Sequence, residues 1–208
     1  FYVHQGVIIG PDGDPVFWGR AMDAVGATKT CYMELSDIIG YSDDYVMSTE
    51  RHAMQHLAQV LRDRGWAGMA LGVEMENYYY SAKAHAVLCD ELGRPPVDVT
   101  ALINWCRAVK SDQELVYMRR AARITEKIQN YAIERAEPGL RKNELAAGIM
   151  EQGILGIGED WGDYPAIVPL LPSGSDAAAP HLTWDGRPMK SGEATFFELS
   201  GVYRRYHA

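Results

Sequence analysis

KSDQELVYMRRAARITEKIQNYAIERAEPG, from Lys110 to Gly139, decides how the chain divides. Ser111 and Glu114 have the S-x-x-E spacing of a capping box, in which hydroxyl and carboxylate each satisfy an amide that a helix start leaves orphaned. Behind the box, Leu115, Met118, Ala122, Ile124, Ile128 and Tyr131 recur near one face, which predicts one long amphipathic helix. Pro138-Gly139 ends it, because proline lacks an amide and glycine accepts a left-handed turn. A helix start this well marked opens a second region at Lys110.

Working outward from it, residues 142–153 predict another helix with Leu145, Ile149 and Met150 on its apolar side. A Gly-rich loop follows, then a strand at Ala166 to Leu171, a loop from Pro172 to Gly192, and a terminal strand pair within ATFFELSGVYRRYHA, with Ser200-Gly201 as a turn or bulge. Upstream, Phe1 to Ile9 reads as a strand entering a hairpin through Gly10 to Asp14. Then come a helix near Thr49 to Gly65, a strand at Met69 to Val73, a helix from about Tyr79 to Leu92, the Pro95-Pro96 break, a short strand near Val97 and a short helix through Ile103 and Trp105. This alternation predicts an α/β domain over residues 1–109, followed by a second domain over 110–208. Strands that look unfinished at Phe1 and Ala208 suggest a piece of a longer protein.

The composition removes several function classes. A formal charge of -8 over 208 residues opposes binding to a phosphate backbone, so no nucleic-acid partner is expected. No apolar run approaches the ~20 residues needed to span a bilayer, so no membrane partner and a cytoplasmic location are the expectation. Cys31, Cys89 and Cys106 form no C-x-x-C pair, which points to three buried thiols rather than a disulfide framework or zinc site.

Chemistry-bearing residues gather in the second region. His181 ends the small-residue run SGSDAAAPH, where backbone and ligand can approach closely, and imidazole is the usual proton carrier near neutral pH. Glu198 interrupts the apolar strand FFELSG and shares a face with Phe196 and Ser200 by alternation. It is either an edge carboxylate facing water or a cleft carboxylate used as base, nucleophile or ligand. Trp161, Tyr164 and Trp184 are either packing aromatics or platforms for a planar cation. Arg187, Arg204 and Arg205 are either solvated or receptors for a substrate carboxylate.

Four stretches, in order, resemble one family. AVKSDQELVYMRRAARI resembles the entry to the catalytic domain of the pita-bread superfamily of creatinase, aminopeptidase P and Xaa-Pro dipeptidase (M24), typically KSPEEIELMRKAA. PGLRKNELAAGI resembles its PGMTEREL helix start, PLLPSGSDAAAPH its IVASGPNAALPH, and MKSGEATFFELSGVYRRY its LKPGDLVLIDLGAEYNGY. The resemblance implies a creatinase-type, ribonuclease H-like α/β domain over 1–109 with its start missing, and the first half of an α+β pita-bread domain over 110–208.

The departures narrow the resemblance. Where the metallopeptidases carry a metal-binding Asp, this chain has Glu198, and Arg205 replaces the glycine before the motif's Tyr. One further methylene moves a carboxylate by ~1.5 Å, enough to disturb a two-metal site with ions ~3.5–4 Å apart. Both changes resemble the metal-free branch that includes creatinase and ectoine hydrolase. DYPAIVPLLPSG, APHLTWDGRPMKSGE, FFELSGVYRRYHA, STERH and GVEMENYY resemble the ectoine hydrolases in particular.

The resemblance therefore implies opening of a small cyclic amidine, with no cofactor and no metal, in a homodimer. Glu198 would be nucleophile or base and His181 the proton carrier, with Tyr164, Trp161, Trp184 and Arg205 binding substrate. Two alternatives stay open: a metal-dependent Xaa-Pro dipeptidase or aminopeptidase of the same fold, and a non-catalytic pita-bread domain that binds protein or peptide.

Overall fold

The computed structural model describes residues 3–208, so the part of the expected first strand at Phe1 and Tyr2 lies outside the described residues. The chain forms two compact units that meet between Ala108 and Val109.

In the first unit, β1 (Gly6–Ile9) and β2 (Pro15–Arg20) make an antiparallel hairpin. The intervening turn is closed by Gly13 N–H donating to the Gly10 carbonyl at 3.0 Å, with Gly13 at a φ of 86° that a side chain would oppose. Then α1 (Ala21–Thr30) carries the chain over to β3 (Ile38–Tyr41), which pairs parallel to β2. Parallel partners require such a crossover. The sequence reading contained neither α1 nor β3. In α1 the large apolar residues Met22 and Val25 are exposed while small Ala24 and Ala27 are buried, so no apolar stripe marks the helix.

Next, α2 (Ala53–Asp63) starts later than expected because His52 is its cap. Its Nδ1 accepts from Met54 N–H at 3.2 Å, and Gln55 accepts from His52 N–H at 2.9 Å. Instead of the five-residue strand expected at Met69 to Val73, only β4 (Gly72–Val73) forms, parallel to β5 (Val97–Asp98). Between them α3 (Ala82–Leu92) begins at Ser81, whose hydroxyl accepts from Ala84 N–H, and stops at left-handed Gly93. The core joins Trp18 and Tyr41 to Met54, Ala58, Val60, Ala84 and Leu88. The short α4 (Leu102–Ala108) closes the unit.

The second unit opens with α5 (Asp112–Arg135), and its capping box is formed: Ser111 N–H donates to Glu114 at 2.7 Å, and Ser111 Oγ accepts from Glu114 N–H. The buried stripe is Ala121, Ile124, Ile128 and Ala132. Ala122, placed on that stripe by the sequence reading, is exposed, because the 3.6-residue period selects its neighbour Ala121. Then α6 (Lys142–Leu155) packs on α5 through Leu145, Ala146 and Ile149.

The strand expected at Ala166 to Leu171 is absent as a regular element. Pro165, Pro169 and Pro172 deprive that stretch of ladder donors, leaving isolated bridges from Leu170 to Glu198 and from Ser173 to Thr195. The terminal pair is β6 (Val202–Tyr203) and β7 (Tyr206–His207). Arg204 and Arg205 turn it with φ of 46° and 69°, the left-handed geometry that an Asn-Gly turn adopts without strain. The expectation of three buried thiols is corrected: Cys106 is exposed and Cys31 and Cys89 are half-buried, because all three sit off the packed faces.

Candidate active site

Glu198 belongs to a small extended layer. Its N–H donates to the Leu170 carbonyl at 3.2 Å, and Leu170 N–H returns a bond to the Glu198 carbonyl at 3.1 Å. Its neighbours Phe197 and Leu199 pack on the α5/α6 core. Glu198 therefore projects from the opposite side, with Phe196, which is 55% exposed. The carboxylate is half-buried, and among the described residues no hydrogen bond or ion pair occupies it. A half-buried acceptor free of protein partners is available to a cation or to water.

The segment carrying His181 lies on the other side of the same layer. Leu171 N–H donates to the Leu182 carbonyl at 3.2 Å, while Leu170 N–H faces Glu198. Successive amides of an extended chain point in opposite directions. Residues 170–171 therefore sit between the segment ending in Glu198 and the segment beginning at His181, each about 4.8 Å away in a regular pairing. His181 is exposed and holds a φ of 67°. A non-glycine residue in that region costs energy and calls for an explanation.

A charged network that the sequence reading missed fixes the loop before His181. Lys142, only 4% exposed, donates to Asp185 at 2.8 Å from the first turn of α6. Arg187 Nε donates to Asp185 at 2.7 Å, and its terminal nitrogen pairs with Asp176 in the 3₁₀ turn Gly174–Ala178. Arg187 and Lys142 together hold the Asp185 carboxyl far below the usual carboxylate range. Ser173 and Thr195 hydroxyls meet at 3.0 Å and Gly174 N–H donates to the Ala194 carbonyl at 2.9 Å, tying the loop's other end to the Glu198 segment. The WDGR stretch carried a signal for this: Asp before Gly often bonds its own backbone, and Asp185 accepts from Arg187 N–H at 2.8 Å.

The remaining expected residues are dispersed. Trp184 packs against the α5/α6 core. Trp161 and Tyr164 are 59% and 66% exposed. Arg205 stacks its guanidinium 4.1 Å from the Tyr164 ring, and its N–H donates to Asp163 at 3.2 Å. Tyr164 lines an apolar recess with Ile128, Ile149, Ile154 and Leu199, and Glu198 is not among its lining residues. Arg187 is committed to Asp185 and Asp176, and Arg204 leans on Tyr203.

Among the described residues no group of three or more His, Cys, Asp or Glu side chains is placed to hold a metal ion. No helix among the described residues is long and apolar enough to cross a membrane.

Over its full length the chain is 51% identical to ectoine hydrolase of Halomonas elongata, covering 54% of that protein. It is 38% identical, again over its full length, to an uncharacterized hydrolase/peptidase of Sinorhizobium fredii, of which it covers 54%. The chain thus spans about half the length of the curated relatives it matches. Among solved structures, prolidase from Pyrococcus furiosus matches 98% of the chain and 57% of its own length, with a TM-score of 0.73 at 17% identity. An X-Pro aminopeptidase from Thermotoga maritima matches 98% of the chain and 51% of its own length, with the same TM-score of 0.73 and 17% identity. At that identity the likeness is one of fold: the chain is mixed α/β and shares part of the pita-bread architecture. The profile of metallopeptidase family M24 matches residues 116–208, the stretch that contains Glu198, His181 and the network around Asp185. Residues 116–208 are accordingly similar to metallopeptidase family M24.

Proposed function

We propose that the protein is a hydrolase that opens the cyclic amidine ring of ectoine to acetyl-diaminobutyrate without a metal ion. The observation that carries this reading is the 51% identity to ectoine hydrolase along the whole chain. The chemistry fits the two segments that flank residues 170–171. An amidine is protonated near neutral pH and is drawn to the carboxylate of Glu198. Glu198 then either attacks the carbon between the two nitrogens or deprotonates the water that does. The new C–O bond forms, one C–N bond breaks, and His181 delivers the proton that the departing nitrogen needs. When Glu198 is the nucleophile, a second attack by water releases it.

The same reading makes residues 1–109 a creatinase-type domain and the whole protein a cytoplasmic homodimer. Trp161, Tyr164, Trp184 and Arg205 are its proposed substrate-binding residues. Trp184 is the weakest of them, since it already packs on the core. The test is turnover of ectoine by the whole protein and by Glu198→Gln, which keeps shape while removing charge and basicity. The variant is expected to lose about two orders of magnitude in rate or more. Retention of most activity would make Glu198 an edge residue. Activity abolished by chelator and restored by manganese would favour the dipeptidase reading instead.

A further inference from the structure

Helix α3 of the first unit carries a thiol and an imidazole one turn apart, outside the site described above. Cys89 Sγ lies 3.4 Å from His85 Nε2. The other ring nitrogen, Nδ1, lies 3.2 Å from the Tyr80 hydroxyl, which comes from the loop before the helix. The Tyr80 ring packs on the core of the unit and meets the imidazole edge-on at an interplanar angle of 88°. Thiol, imidazole and an orienting hydroxyl in line is the arrangement that activates a nucleophile.

Burial, reinforced by the neighbouring thiol, pushes the Tyr80 hydroxyl up to about 12, so the phenol stays neutral. A neutral phenol oxygen can accept a hydrogen bond from Nδ1–H, and in that tautomer Nε2 faces the sulfur as a base. Neither other cysteine has this setting: no hydrogen bond among the described residues reaches the sulfur of half-buried Cys31 or exposed Cys106.

We propose that Cys89 is a reactive thiol, deprotonated by His85 and oriented by Tyr80, that exchanges with low-molecular-weight disulfides. The thiol proton moves to His85 Nε2 and the thiolate attacks one sulfur of the disulfide. The Cys89 sulfur bonds to that half, the original S–S bond breaks, and the departing thiolate takes the proton from His85. No net oxidant beyond the disulfide is consumed.

The test uses dithiodipyridine on the folded protein, with each cysteine followed by peptide mass spectrometry. With His85 at its sulfur, Cys89 is expected to react about tenfold faster than Cys106 at pH 7, although Cys106 is the more exposed. His85→Gln should bring Cys89 to the rate of Cys106 or below. Cys106 reacting as fast as Cys89, or an unchanged Cys89 rate in His85→Gln, overturns the proposal. The comparison of Cys89 with Cys106 needs no substitution, so it decides the matter even if the variant fails to fold.

Discussion

Gly201 is where the strand bearing Glu198 touches helix α5, and adding one methyl group there should be costly. A Cβ built on Gly201 would lie 2.5 Å from Thr125 N, 2.7 Å from Thr125 Oγ1 and 2.9 Å from the Ala121 carbonyl oxygen. Ordinary van der Waals contact begins near 3.4 Å, so the strand must retreat by most of an ångström from two helix backbone atoms that cannot yield. Overpacking of this kind costs about 1–3 kcal/mol. The retreat also breaks the 2.9 Å bond from Gly201 N–H to the Thr125 hydroxyl, which adds about 0.5–1.5 kcal/mol. Gly201→Ala should therefore destabilise the protein by about 1.5–4.5 kcal/mol. Gly153 is the control of opposite sign: it is inside α6, and its added Cβ would meet only Ile128 Cγ2 at a comfortable 3.7 Å. Gly153→Ala should stabilise by about 0.5–1 kcal/mol through helix propensity. Urea unfolding of both variants gives the midpoint shifts, with an unchanged slope showing that the unfolded state is the same. A Gly201→Ala variant as stable as the parent would refute the close approach of strand and helix.

Three further outcomes follow from the second unit. Because the Asp185 carboxyl is held low in the folded state, its contribution is fully present above the unfolded carboxylate value of ~4 and is lost as pH falls toward the folded one. The stability gap between parent and Asp185→Asn should thus be constant from neutral pH to about 5 and narrow on further acidification, and a gap that widens in acid would contradict it. Ser111→Ala removes the hydroxyl of the α5 cap and should cost about 1 kcal/mol by thermal melting, a Tm loss of about 2–4 °C. His181→Ala should lower ectoine turnover and erase one limb of its pH–rate profile while leaving the melting temperature in place, since the residue is exposed.

Legibility in the sequence tracked how local each determinant is. The Ser111/Glu114 box, the Gly10–Asp14 hairpin turn and the Pro138-Gly139 stop act within a few residues, and each appears where the sequence placed it. Register was harder: Ala121 and Ala122 look alike in sequence, and packing against Tyr203 of β6 tells them apart. Strand β3 exists because β2 offers it a parallel edge, a long-range condition with no local mark. Ser200-Gly201, read as a turn or bulge, is a point of close approach, visible only once Thr125 is in place. In the candidate site the alternation around Glu198 was readable from Phe197 and Leu199. The ties holding the His181 loop were only partly so: WDGR marks Asp185 and Arg187, whereas Lys142 and Asp176 come from separate stretches and each alone passes for surface charge.

The opposed amides of Leu170 and Leu171 set a rule for how this part of the chain can change in length. A residue gained or lost within 196–199 would turn Phe197 outward and drive the Glu198 carboxylate into the α5/α6 core, since side chains alternate strictly along an extended segment. The stretch between Ser173 and His181 is under no such parity, and closing a longer loop there costs only about 0.6 kcal/mol for each doubling. Relatives that keep this chemistry should therefore vary in length between those two residues, while the segments at 170–171 and 196–199 stay the same residue for residue in count.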